Sequence, residues 1–165
     1  MPPKKQITKE IILEKAFAIT KEFGFDSISA RTLAKQLDCS TQPIYQAFTD
    51  MDGLKTAIIE KSISIMLNFI IEHKDPTLPE ELGFIIGYVQ FANLEKQLFA
   101  LLFSSGTNGL IHSFATSRQI NFNMDMIIYA NGMIMMSTFH ALNQSWEEKK
   151  SMLIHAYELF CQVQL

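Results

Sequence analysis

Cysteine is nearly absent from this chain of 165 residues. Cys39 and Cys161 are too few for a disulfide framework, and they lack the spacing of a metal site. Five prolines and seven glycines leave little room for a loop-rich or collagen-like build. No alternation of apolar and polar residues marks a strand, so β-sandwiches and barrels drop out. A Gly-rich phosphate loop and a His-Glu-x-x-His pair are also missing, and His73, His112, His140 and His155 are scattered. Glu147 and Glu148 fit a helix start, where acids meet the positive end of the dipole, better than an acid/base pair. The expectation is a non-enzyme with no catalytic residues, no metal and no cofactor.

Nor is there a membrane segment. The stretch from Met126 to Leu142 is 17 residues long, but Asn131 and His140 interrupt it and Asp125 borders it. Met1 to Gln6 carries charge without the apolar run of a secretory signal, so a cytoplasmic protein is expected.

What is present is 48% hydrophobic residues, enough for a real core in one domain or in a small domain plus a larger one. The formal charge is −3. Residues 1–61 hold nine Lys/Arg against eight acids, and residues 62–165 hold five against nine. The N-terminal part is therefore slightly basic and the remainder acidic.

The most informative stretch is Ser29-Ala30-Arg31-Thr32-Leu33-Ala34-Lys35-Gln36-Leu37, then a three-residue turn, then Thr41-Gln42-Pro43-Ile44-Tyr45-Gln46-Ala47-Phe48. It reads as two short helices at the spacing of a helix-turn-helix, whose second helix lies in the major groove of DNA. Ser29 and Ser40 stand where N-caps belong. Leu33, Ala34 and Leu37 make one apolar stripe, and Ile44, Tyr45 and Phe48 another. Thr41, Gln42 and Gln46 remain outward, with groups suited to base edges and phosphates.

The run Gly24-Phe25-Asp26-Ser27-Ile28-Ser29-Ala30-Arg31-Thr32-Leu33-Ala34, with Pro43-Ile44-Tyr45-Gln46-Ala47-Phe48 and Asp52-Gly53-Leu54, resembles the N-terminal DNA-binding domain of the TetR family of bacterial transcriptional regulators. The resemblance covers roughly residues 8 to 58. It implies an all-α fold, in which a three-helix helix-turn-helix domain (residues 1–50) is joined by a long helix to a helical regulatory and dimerisation domain (residues 51–165). It also implies operator DNA as partner, a homodimer through the last two helices, and a ligand-responsive repressor. Coupling of that kind needs only about 1 to 3 kcal/mol between sites. Ser29, Arg31, Ser40, Thr41, Gln42, Tyr45 and Gln46 are the expected DNA-binding residues. Two departures stand out. The turn carries Asp38 where relatives commonly have Gly, and Met51 stands where they commonly have a phosphate-binding Lys.

The rest of the chain reads as helices. Thr8 caps the first, which carries Ile12, Ala16, Ile19 and Phe23 on one face and ends at Gly24. The fourth starts near Asp50 with Thr49 and Asp52 as a capping pair, runs through Leu54, Ile58, Ile65 and Phe69 to about Glu72, and would span roughly 33 Å. Prolines 76 and 79 break it. Apolar segments follow at Leu82 to Phe91 and Leu98 to Phe103, then a loop from Ser104 to Gly109 and a short helix from Leu110 to Arg118. A long helix is expected from Asn123 to Leu142, and Ser145-Trp146-Glu147-Glu148 opens a last one to about Val163. The Asn123 helix is apolar nearly all round, so one face is expected on its own domain and the other, with Met133, Met135 and Met136, on a second subunit. Phe69, Phe84, Tyr88, Phe103, Tyr129 and Met133 are the candidate lining of a pocket for a small apolar effector. The rival reading is a helical interaction regulator that keeps the fold but works through a protein partner.

Overall fold

The computed structural model describes residues 7–106 and 123–162. All regular structure among them is helical: α1 (Lys9–Phe23), a 3-10 turn (Phe25–Ser27), α2 (Ala30–Leu37), α3 (Gln42–Phe48), α4 (Met51–His73), α5 (Glu80–Leu94), α6 (Lys96–Ser104), α7 (Met124–Thr138) and α8 (Trp146–Cys161). The all-α expectation holds. The helix expected at Leu110 to Arg118 and most of the preceding loop lie outside the described residues, whereas the last helix, expected to end near Val163, ends at Cys161 with Gln162 at φ +53°. The chain divides into two compact units, Met1–Ser64 with Gln97–Ser104, and Ile65–Lys96 with Ser105–Leu165.

In the first unit α1 packs on the 3-10 turn, α2 and α3. Thr8 caps α1 as expected, its hydroxyl accepting from the Ile11 amide. The buried face includes the expected Ile12 and Ala16 but not Ile19 and Phe23. Ile12, Ala16, Phe17 and Thr20 point inward, whereas Ile19 is half-buried and Phe23 is 62% exposed. The inward face turns toward Phe17 and Thr20, because the Thr20 hydroxyl donates to the Ala16 carbonyl at 2.9 Å and enters the core with its polarity satisfied.

The junction of α3 and α4 is a tight corner. Thr49 takes φ +64°, and the expected Thr49/Asp52 cap is replaced by Asp50, whose carboxylate accepts the Gly53 amide at 2.7 Å. A Cβ on Gly53 would lie 2.4 Å from the Phe48 carbonyl oxygen, so only glycine fits there. Beyond it, α4 buries Leu54, Ile58, Ser62, Met66 and Ile70, while the expected Ile65 and Phe69 are half-buried. Lys61 pairs with Glu14, and the ammonium groups of Lys9, Lys55 and Lys61 lie 5.1, 5.3 and 4.9 Å from the ring centres of Phe48, Phe25 and Phe17. Three of the basic side chains in the slightly basic part are thus engaged inside the unit.

In the second unit α5 is the centre. Leu82 to Val89 are all buried, and α5 packs on both α7 and α8, which pack on each other. Full burial of each large side chain in this run is worth about 1.5–3 kcal/mol. The Tyr88 hydroxyl crosses to α7 and donates to Asn131 Oδ1 at 3.0 Å, and burial pushes the Tyr88 phenol up to about 12. Asn123 caps α7 by accepting the Asp125 amide. That helix stops at Thr138, short of the expected Leu142, because the chain turns at Phe139 and enters the left-handed region at His140 (φ +56°). Ser145 and Glu148 form the expected capping box of α8, with the Ser145 amide donating to Glu148 at 2.7 Å. None of the described helices is long and apolar enough to cross a membrane.

Candidate nucleic-acid interface

Two elements with three residues of turn between Leu37 and Thr41 build the site. Ser29 caps α2 in a capping box with Thr32: the Thr32 amide donates to Ser29 Oγ at 3.1 Å, and the Ser29 amide donates to Thr32 Oγ1 at 2.8 Å. Leu33 and Ala34 turn inward, fixing the rotation of the helix. Arg31 and Lys35, one helical turn apart, are left exposed on α2. Lys35 thus adds a second exposed basic residue to α2 at i+4 from Arg31. Asp38 closes α2 in the left-handed conformation (φ +53°, ψ +49°), its amide donating to the Ala34 and Lys35 carbonyls. The turn forms with Asp in place of Gly.

Helix α3 starts at Gln42 with Thr41 as its N-cap residue, so Ser40 is not the cap it was expected to be. The reason is local. Pro43 has no amide to be capped, and the Ile44 amide already donates to the Thr41 carbonyl at 3.2 Å. Ile44 and Phe48 are 1% and 6% exposed and anchor the helix. Tyr45 does not share their face: it lies about 100° round the helix from Ile44 and is 48% exposed. Ser40, Gln42, Tyr45 and Gln46 are exposed and Thr41 is half-buried. Gln42, Tyr45 and Gln46 form one i, i+3, i+4 face, and no described residue hydrogen-bonds their side chains. A short helix held by two apolar anchors thus presents two amides and a phenol to solvent. Met51 opens α4 and is half-buried.

A second uncovered face lies on α7. Met124, Ile128, Met135, Met136 and Phe139 are 67, 64, 44, 48 and 72% exposed. Gly132 sits among them with nothing within 4 Å of where its Cβ would be. Leu159 and Phe160 on α8 are exposed too. Met133 and Ile134, by contrast, are each 4% exposed and belong to the unit's own core, so Met133 is not part of the outward face where it was expected.

The candidate effector-pocket residues are dispersed. Phe84, Tyr88 and Met133 are buried in the second unit, where Phe69 and Tyr129 are half-buried. Phe69 stacks on His73 with ring centres 4.1 Å apart, and Tyr129 meets Phe160 edge-on at 6.1 Å. Phe103 belongs to the first unit, is 43% exposed and stacks on Phe99. Cavities of about 270 and 200 Å³ in the second unit are lined by other residues. Among the described residues no group of three His, Cys, Asp or Glu could hold a metal ion.

No family model and no curated protein matches the sequence. The fold does match that of a crystal structure of a TetR-like transcriptional regulator from Rhodococcus sp. RHA1, with a TM-score of 0.60 and 15% identity, over 97% of this chain and 100% of that one. This chain therefore has the all-α fold of a TetR-like protein, with its candidate nucleic-acid face on α3.

Proposed function

We propose that this chain is a cytoplasmic, DNA-binding transcriptional regulator that acts as a homodimer on a palindromic operator. Residues 1–50 read the DNA, and residues 51–165 dimerise and respond to a small effector, in the manner of a repressor. The observation that carries this reading is the outward face of α3. Gln42 can pair bidentately with an adenine edge, Tyr45 and Gln46 can reach bases or sugar-phosphate, and Thr41 with Ser40 lies at the helix start, where phosphates are favoured. Arg31 of α2 and Ser29, whose hydroxyl also caps α2, are the proposed contacts to the backbone or a flanking base. The apolar face of α7, bare at Gly132, supports self-association: a second copy can approach closely there and cover side chains that a single chain leaves in water. Phe69, Phe84, Tyr88, Tyr129 and Met133, all of the second unit, are the proposed lining for an apolar effector, without Phe103 of the first unit.

The test is titration of fluorescent duplexes from the DNA adjoining the chain's own gene, at several salt concentrations. Saturable, salt-sensitive binding of one dimer per palindrome is expected, with a footprint that scrambling the palindrome removes. Binding that is equally weak for all duplexes, together with retention of a protein partner, would favour the protein-partner reading instead.

A further inference from the structure

We propose that the second unit carries a binding site for a small oxyanion, a dicarboxylate or a phosphate-bearing molecule, in the cavity where α5 and α7 end and α8 begins. The cavity holds about 270 Å³, close to the lower limit for small-molecule sites. Lys96, Lys149, His140, Ser137, Asn93 and Asn143 are on its wall, and no Asp or Glu lines it.

Charge points to the ligand. The second unit holds five basic residues against nine acidic ones, yet two of the five lysines and arginines share this one wall with none of the nine acids. Neither Lys96 nor Lys149 has an ion pair among the described residues. The carboxylate of nearby Glu148 is already taken by the amide and hydroxyl of Ser145, which hold it below the ordinary glutamate range. Two lysines on the wall of one concavity that carries no carboxylate are stabilised by a bound anion.

A second feature is independent of charge. Ser137 lines the cavity, and its Oγ is buried with no hydrogen-bond partner among the described residues. Buried hydroxyls ordinarily find a partner, and an oxyanion supplies acceptors where the protein offers none. Two other polar side chains on the wall already spend one donor each inward, Asn93 on the Val89 carbonyl and Thr138 on the Ile134 carbonyl. The lysines, the second amide proton of Asn93 and the amide of Asn143 remain as donors.

Calorimetric titration of the full chain at constant ionic strength, with inorganic phosphate in one arm and succinate in the other, tests this without DNA, so its failure leaves the regulator reading untouched. Saturable binding of one probe per chain is expected in at least one arm. The arm that saturates identifies the ligand class. Each of Lys96→Gln and Lys149→Gln should weaken it about tenfold, the loss expected for one charge-assisted hydrogen bond. Ser137→Ala should weaken it less and leave the circular dichroism spectrum unchanged. The site is overturned if neither probe saturates, or if saturation survives Lys96→Glu combined with Lys149→Gln. It is also overturned if the lysine changes lower thermal stability while the wild type ignores both probes. In that last case the lysines serve only the carbonyl ends of α5 and α7.

Discussion

Helices α3 and α7 each leave one face uncovered, and the two faces are chemical opposites. On α3 the exposed groups are Gln42, Tyr45 and Gln46, which water solvates well and which lose little by waiting for a partner. On α7 they are Ile128, Met135 and Phe139 around a bare Gly132, which water solvates poorly. The first kind of surface suits a partner that is sampled and released, whose specificity comes from hydrogen bonds. The second suits a partner that stays, since its burial removes apolar area from water at about 25 cal/mol per Å². The proposed function would thus separate transient reading and lasting assembly on different helices.

The largest effect should come from two neighbouring pairs on α7 with opposite outcomes. Met133→Ala and Ile134→Ala each remove a buried side chain and should cost about 2–5 kcal/mol in urea unfolding. Met135→Gln with Met136→Gln should leave the helical spectrum intact and shift sedimentation toward monomer. If the second pair unfolds the chain instead, the distinction between inner and outer faces of α7 fails.

On α3, Gln42→Ala should cost about 1–3 kcal/mol at one position of each half-site and relax base discrimination there. Binding to a panel of single-base operator variants would show it. Phosphate contacts give a different signature. Met51→Lys should strengthen binding to all sequences alike and steepen log affinity against log salt by roughly 2 for a dimer. An unchanged slope would mean that residue 51 does not face the DNA backbone.

Smaller changes probe the helix ends. Asp38→Gly relieves a side chain held at φ +53° and should raise stability by up to about 1 kcal/mol, read from the urea midpoint. Glu148 is held below its ordinary value of 4.5, first by the Ser145 amide and then by its hydroxyl. A depressed carboxylate contributes stability that is present above that value and lost as pH falls through its folded value. Glu148→Gln should therefore lower thermal stability slightly at neutral pH, change little in acid, and so flatten the acid limb of stability against pH.

The same contrast decides what could be read from sequence. Around α2 the signals are local and unopposed: Ser29 caps, Asp38 turns, and Leu33 with Ala34 points inward, each dictated by neighbours within four residues. Ser40 misled because the nearby proline removed the amide that its hydroxyl would have served. In the second unit periodicity carries no direction. Helix α5 is apolar on every side, and α7 places Met133 inward and Met135 outward with the same side chain. The wall around Lys96, Ser137 and Lys149 comes from two segments, 92–96 and 137–149, far apart in the chain, so no spacing announces it.

The corner at Gly53 also has a mechanical consequence. With a Cβ position only 2.4 Å from the Phe48 carbonyl, Asp50 bridging to the Gly53 amide and Thr49 fixed at positive φ, the joint between α3 and α4 has no slack. A tilt of the first turn of α4 cannot be taken up by bending the corner and has to be handed to α3 as rigid motion. Gly53→Ala would pry the two helices apart. A longer, glycine-rich insertion after Thr49 would let α4 swing while α3 stayed still, uncoupling one from the other without altering a single residue of the exposed α3 face.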